Sequence, residues 1–368
     1  MKALGIAPDV VQWQRIHGRH DLPWQSAAPD PYRIWLSEVM LQQTQVATVI
    51  PYFQAFIAAF PTVADLAGAS SDQVMALWSG LGYYSRARNL HAAARRIVER
   101  HGGAFPRTAE ELATLPGVGR STAAAIAAFA FGERAAILDG NVKRVFCRVF
   151  AIPGNPGEAG VIRQLWLHAQ AELPPVDEVA GPAQQAADIR AYTQGLMDLG
   201  ATVCTRNKPA CRRCPLAPKC LARREDAVAR YPSPRPRREV PVREVDMLLL
   251  CSGESVLIEQ RPPAGIWGGL WSLPEIEGPS LGSSGGLGDF GRLQPREFAR
   301  FEHAFTHFRM KARVWRAELV DEQAASVLRQ APPTRWLALA EVAQAPLPRP
   351  VKTLLQSLAV DVVLPGLH

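Results

Sequence analysis

The chain has 368 residues, of which 48% are hydrophobic and 20% charged, and 41 Lys and Arg against 34 Asp and Glu leave a net charge of +7. This length suits two domains, the apolar content excludes a disordered chain, and the positive balance favours a polyanionic partner. The longest apolar run, Ala123 to Phe131, falls far short of the roughly 20 residues that a bilayer-spanning helix requires. The six cysteines form no disulfide-like framework and no long apolar stretch opens the sequence, so a soluble protein of a reducing, cytoplasmic compartment is expected, with no membrane partner.

From Val10 to about Arg224 apolar residues recur at helical spacing, in segments 32–45, 48–60, 85–101, 121–131, 141–150, 161–173 and 182–199, with Gly, Pro and Asp clusters between them. An all-α first domain over 1–225 is predicted. In its first strong helix Glu38 has Ile34, Trp35 and Leu41 at the positions that share its face. A carboxyl on an apolar face is expected to carry a raised pKa and to serve as a general acid.

Further on, Leu115-Pro116-Gly117-Val118-Gly119 separates two helical patterns. Two glycines permit close backbone approach, and the amides of the following helix point outward, which suits a DNA phosphate. Asp139 opens Asp139-Gly140-Asn141-Val142-Lys143-Arg144, where it is predicted to cap the next helix. Hydrogen bonds from helix amides are expected to lower its pKa and keep it ionised, able to stabilise a cationic sugar. Two carboxyls in opposed environments suit acid chemistry at a glycosidic bond.

Cys204, Cys211, Cys214 and Cys220 follow in the spacing C-x6-C-x2-C-x5-C, in a proline-rich loop where neither helix nor strand is regular. Four thiolates on a metal centre would hold such a loop, and the spacing alone leaves zinc and an iron–sulfur cluster open. Cys147 and Cys251 lie in apolar-periodic segments and read as inert core thiols. Residues 226–243, rich in Arg and Pro, read as an extended basic linker. Beyond it strands are predicted at 247–251, 255–259, 301–308 and 312–319, helices at 322–329 and 351–359, and a Gly/Ser-rich loop at 278–291, which makes 244–368 an α+β domain.

Residues 22–221 closely resemble adenine DNA glycosylases of the MutY type, a helix-hairpin-helix family of base excision repair. The strings that carry the resemblance are Trp35-Leu36-Ser37-Glu38-Val39-Met40-Leu41-Gln42-Gln43-Thr44, Gly80-Leu81-Gly82-Tyr83-Tyr84, the Gly117/Gly119 hairpin, Ile137-Leu138-Asp139-Gly140-Asn141-Val142 and the four cysteines. The resemblance implies a 4Fe–4S cluster at 204–220 and removal of adenine mispaired with 8-oxoguanine or guanine in duplex DNA, by a nucleoid-associated monomer. It implies that Glu38 protonates the adenine, that Asp139 stabilises the oxocarbenium ion and that Asn141 bonds near Asp139. Gln42, Gln43 and Tyr83 would fill or wedge the base stack, while Gly117, Gly119 and Lys143 would meet the DNA. Ser121 stands where the bifunctional relatives carry a lysine nucleophile, which implies a monofunctional glycosylase using water.

The second domain resembles the Nudix-like C-terminal domains of the same proteins, through Arg261-Pro262-Pro263-Ala264-Gly265-Ile266-Trp267-Gly268-Gly269-Leu270-Trp271. Too few carboxylates follow for a catalytic magnesium site, so it is expected to bind rather than hydrolyse. Phe305-Thr306-His307 is similar to the Phe-Ser-His loop that contacts 8-oxoguanine in the family. Two rivals remain at this level: a glycosylase of the same fold acting on thymine or uracil mismatches or oxidised pyrimidines, and a non-enzymatic iron–sulfur DNA-binding protein.

Overall fold

The computed structural model describes residues 3–26, 28–176, 179–234, 239–276, 295–319 and 333–363. The expected loop at 278–291, the expected helix at 322–329 and Arg235, Arg237 and Arg238 of the linker lie outside these. The helices in chain order are α1 (Ala7–His17), α2 (Pro31–Leu41), α3 (Val46–Ala59), α4 (Val63–Gly68), α5 (Ser71–Trp78), α6 (Ser85–His101), α7 (Ala109–Leu112), α8 (Arg120–Phe131), α9 (Gly140–Val149), α10 (Ala159–Ala171), α11 (Pro182–Asp198), α12 (Leu221–Arg224) and α13 (Arg349–Val363). The chain divides into two compact units, Met1–Gly68 with Asn89–Pro236 and Ala69–Arg88 with Arg237–His368. Residues 69–88 thus belong to the second unit, although their sequence reads as part of the helical domain.

The first unit is all α. Asp30 starts α2 by accepting hydrogen bonds from the amides of Tyr32 and Arg33, with Pro31 in the first turn, where no donor is needed. The helix ends at Leu41 because Gln43 turns into the left-handed region at φ 58°. Trp35, Leu36 and Met40 are fully buried from α2, as are Phe53 and Phe56 from α3. Burying each such side chain contributes roughly 1.5–3 kcal/mol. A second cluster joins Val142, Val145 and Phe146 of α9 to Leu165 of α10 and to Tyr192 and Leu196 of α11. Helix α11 runs directly into a π-helical turn, Leu199–Val203, which leads to the first cysteine.

The start of the expected extended linker is folded: Val228–Arg230 is a 3-10 turn, and the Tyr231 carbonyl accepts from Arg148 Nε at 2.9 Å. The buried Arg148 guanidinium gathers four backbone carbonyl and sulfur acceptors around itself and so draws this Arg-rich stretch onto the helices.

The second unit carries a seven-stranded sheet among its described residues: β1 (Val242–Ser252), β2 (Ser255–Gln260), β3 (Trp271–Ser272), β4 (Glu275–Ile276), β5 (Arg296–Ala304), β6 (Arg309–Glu318) and β7 (Thr334–Ala338). Its main path is β3-β2-β1-β6-β5, with β4 on β1 and β7 on β2, and β1 and β6 run parallel over ten residues in register Val242↔Arg309 to Cys251↔Glu318. The strand expected over 301–308 stops at Ala304, and Phe305–Phe308 form the hairpin tip, closed by Phe305 N donating to Phe308 O at 2.9 Å. Among the described residues no helix is long and apolar enough to cross a membrane.

The turn before α8 requires glycine at one place. Gly117 has φ 76°, and a Cβ there would lie 2.7 Å from Asn89 Cβ, whereas nothing lies within 4 Å of a Cβ on Gly119. Gly117→Ala is therefore expected to lower stability by about 1–3 kcal/mol and Gly119→Ala by under about 1 kcal/mol in denaturant titration. Equal losses at the two positions would contradict this account of the hairpin.

Candidate active site

Helix α2 brings Glu38, and the start of α9 brings Asp139, to a single cavity of about 650 Å³ that Arg19, Gln42, Ser121, Thr122, Asn141, Arg144 and Gly200 also line. Asp139 caps α9 as predicted, accepting from Val142 N at 2.7 Å, and its second oxygen accepts from Asn141 Nδ2 at 3.3 Å. Arg144, one turn on, donates to Asn141 Oδ1 at 2.8 Å, to Gly200 O at 2.6 Å and to Cys204 O at 2.8 Å. The carboxylate is thus fastened through Asn141 and Arg144 to the backbone that begins the cysteine loop. Gly200 allows this approach, since a Cβ on it would stand 2.4 Å from Asn141 Cβ.

The two carboxyls titrate as a pair. Burial first, and the Asp139 charge second, push Glu38 up from 4.5 to about 8, as its apolar helix face leads one to expect. The expectation for Asp139 was the opposite of what is found. Its carboxyl also lies above the ordinary aspartate value, because burial outweighs the amides of Val142 and Asn141, the Asn141 side chain and the Arg144 charge, all of which pull it down. The hydrogen bonds that Asp139 accepts from the Val142 amide and the Asn141 side chain favour its ionised form, which makes Glu38 the member placed to keep a proton.

The remaining site residues fall in several places. Ser121 lines the same cavity, and its Oγ accepts the Leu138 amide at 2.8 Å, so the hydroxyl steadies the strand-like approach to Asp139. Gln42 donates to Gly117 O and to Thr122 Oγ1, both at 3.2 Å, and so bridges α2 to the hairpin. Gln43 is exposed and left-handed, and Lys143 is half-buried in the first turn of α9. Tyr83, Phe305, Thr306 and His307 all belong to the second unit. There Tyr83 is 42% exposed at φ 49°, a strained conformation for an aromatic residue. Phe305 stacks on Phe308 with centroids 4.5 Å apart, while Thr306 and His307 are exposed at the hairpin tip.

Sequence reading missed a polar network next to Glu38. Arg19 donates from Nε to Asp198 Oδ1 at 2.7 Å, and Asp198, only 1% exposed, also accepts from Gln194 Nε2 at 2.8 Å. Gln25 Nε2 donates to Arg19 O at 3.1 Å. Gln194 and Gln25 line a neighbouring cavity of about 350 Å³ that shares Glu38 with the first. The only local signal was the i, i+4 pair Gln194/Asp198 on α11; the Arg19 contact spans 179 positions and leaves no mark in either segment.

Cys204, Cys211, Cys214 and Cys220 border one small cavity that Val145, Arg148, Val149, Leu199, Leu216 and Arg223 also line. None of them forms a disulfide, and Arg148 Nη1 donates to Cys204 Sγ at 3.3 Å. Among the described residues no three His, Cys, Asp or Glu side chains gather about one metal ion. Cys147 and Cys251 are buried, with burial raising each thiol to about 11.

A helical unit with a glycine hairpin, a carboxyl pair at one cavity and a four-cysteine loop defines a DNA glycosylase of the base excision class. Residues 36–170 match the HhH-GPD superfamily of base excision DNA repair proteins, and residues 246–357 match a NUDIX domain. The adenine DNA glycosylase of Homo sapiens is 36% identical over 386 aligned residues, covering 88% of this chain and 68% of that protein. An adenine DNA glycosylase of Buchnera aphidicola subsp. Schizaphis graminum is 35% identical over 268 residues, 73% of this chain and 74% of its own. Among solved structures, a thermostable thymine-DNA glycosylase superposes with a TM-score of 0.50 at 26% identity, over 60% of this chain and 95% of that one. The chain belongs to the adenine DNA glycosylase family.

The pair has a consequence for stability. Glu38 holds its proton more tightly in the folded chain, at about 8, than the ordinary 4.5. Its contribution is fully present below that ordinary value and is lost as pH rises toward the folded one. Glu38→Gln, which needs no proton, is expected to melt at least about 2 °C above the parent near pH 8.5 and level with it near pH 4.5. A melting difference that does not change with pH would contradict the assignment.

Proposed function

We propose that this protein hydrolyses the N-glycosidic bond of adenine paired with 8-oxoguanine or guanine in duplex DNA, as a monomer and without strand cleavage. The carrying observation is the protonated Glu38 and the hydrogen-bonded Asp139 at one cavity, in a chain of the adenine DNA glycosylase family. Glu38 gives its proton to the adenine ring as the bond from C1′ to the base breaks, and the bonding electrons leave with the base. Asp139 faces the sugar and stabilises the positive charge that grows there. Water then bonds to C1′, and its proton returns to the carboxylate pair. Asn141 and Arg144 hold Asp139 in place through this sequence. Ser121 offers no amine, so no Schiff base forms and the strand stays intact.

An adenine must leave the stack to reach the cavity, and flipping costs least for a mispaired base. Gln42, Gln43 and Tyr83 occupy or wedge the gap, while Gly117, Gly119 and Lys143 meet the backbone. Phe305, Thr306 and His307 read the base opposite adenine.

The cysteine loop fits a 4Fe–4S cluster. The four sulfurs border one apolar cavity with the Arg148 guanidinium against one of them, which suits an anionic group. Four thiolates suit a cluster in which each takes one iron, and the chain's kinship with the adenine DNA glycosylases favours that cluster over zinc. Bound there, the cluster would cross-link residues 204–220, and it takes no part in the steps above.

Single-turnover excision from a duplex with one 8-oxoguanine:adenine pair tests the reading. The parent is expected to release adenine and leave the strand whole until heated in base, and Glu38→Gln to be slower by at least about 10²-fold with binding retained. Turnover of a guanine:thymine duplex in place of the adenine duplex would overturn it. The purified protein is expected to hold about four irons per chain, and stoichiometric zinc without iron would remove the cluster assignment.

A further inference from the structure

Within the second unit, two loops that the proposed function sends to DNA are tied to the same short turn. Tyr83 lies in the loop Ser79–Tyr84, which passes directly into α6, where the amides of Arg86 and Arg88 donate to the Tyr83 and Tyr84 carbonyls at 2.8 and 3.2 Å. Arg86 is buried, donates to Gly82 O at 3.2 Å, and lays its guanidinium over both the Tyr83 and Trp78 rings, 5.4 and 5.2 Å from their centroids. Trp78 Nε1 donates to the same Gly82 carbonyl at 3.0 Å. The tyrosine is therefore rigid with respect to the first turns of α6.

Two positions further along α6, Arg88 donates from Nη1 to the Gly268 carbonyl. A Cβ on Gly269 would lie 3.4 Å from Arg88 Cδ and 3.9 Å from Met75 Cε, so helices α5 and α6 press directly on this turn. Trp267, which precedes the two glycines, is left-handed at φ 53° and buried, and its ring lies 5.8 Å from both Phe305 and His303. Two further bonds fasten α5 and the Tyr83 loop: Trp271 Nε1 to Asp72 Oδ2 at 3.1 Å, and Ser79 Oγ to Leu347 O at 2.6 Å.

We propose that the Trp267-Gly268-Gly269 turn, gripped by Arg88, ties the Tyr83 wedge to the Phe305-Thr306-His307 loop, so that the two engage DNA as one recognition unit with Arg88 as a positioning residue. The proposal rests on the reading of Tyr83 and of loop 305–307 given above. A strained turn held from both sides has few ways to yield, and displacement of one loop is passed to the other through it.

The measurement is the ratio of single-turnover excision on 8-oxoguanine:adenine to that on guanine:adenine. Arg88→Met keeps the aliphatic stem and removes the donor. It is expected to lower the ratio at least about threefold while guanine:adenine excision stays within about twofold, and Arg88→Lys to restore most of the loss. In the parent, Tyr83→Ala and His307→Ala are expected to lower the ratio together by less than the product of their separate effects; in the Arg88→Met background the effects should multiply. An unchanged ratio in Arg88→Met, or multiplying effects in the parent, would overturn the coupling alone. If neither Tyr83→Ala nor His307→Ala moves the ratio, the underlying reading of those loops fails and the coupling with it. The parent comparison stands even if the Arg88 variant does not fold.

Discussion

Two carboxyl groups that share one cavity cannot both carry charge cheaply, and the rest of the first unit is arranged around that constraint. Helix α2 presents Glu38 from an apolar face, and the cap of α9 presents Asp139 with hydrogen bonds already in place. Burial raises both groups, and the hydrogen bonds decide between them, so the single proton lies on Glu38. The bonds that decide lead outward. Asp139 rests on Asn141, Asn141 on Arg144, and Arg144 on the carbonyls of Gly200 and Cys204. The cysteine loop is therefore part of the support of the acid pair, although none of its sulfurs lines the cavity.

The second unit solves a different problem. Among the described residues its sheet ends at β5, a strand rich in charged side chains, and its β5–β6 hairpin ends in an aromatic tip. The tip is braced from below by Phe308 and from the side by Trp267. Residues 69–88 join this unit rather than the helical one in which their sequence lies. A segment that lies in sequence within the helical domain is thereby mounted on the sheet-bearing unit.

Much of this was legible in the sequence, and the parts that were not share a cause. Helices α6, α8 and α9 were expected within a residue or two of where they stand, because their apolar periodicity and caps are local. Glu38, Asp139 and the four cysteines were singled out for the same reason. What sequence could not show depends on distant partners: Arg19 against Asp198, Gln42 against the hairpin, and α5 against Trp271. The sign of the Asp139 shift was misjudged because capping is visible in a sequence and desolvation is not. The hairpin tip at Phe305–Phe308 read as strand because its alternation of aromatic and polar residues mimics one, and the start of the linker at 226 read as extended because the buried Arg148 that holds Tyr231 lies 83 residues earlier.

The account turns on where the shared proton lies, and the pH dependence of single-turnover adenine excision reports on it most directly. Glu38 must be protonated, so the rate should fall tenfold per unit once pH exceeds the Glu38 value of about 8. Glu38→Gln should retain a small residual rate without that alkaline limb. A parent rate that stays level or rises from about pH 8 to about pH 10 would place the proton elsewhere and contradict the assignment of Glu38 as the acid.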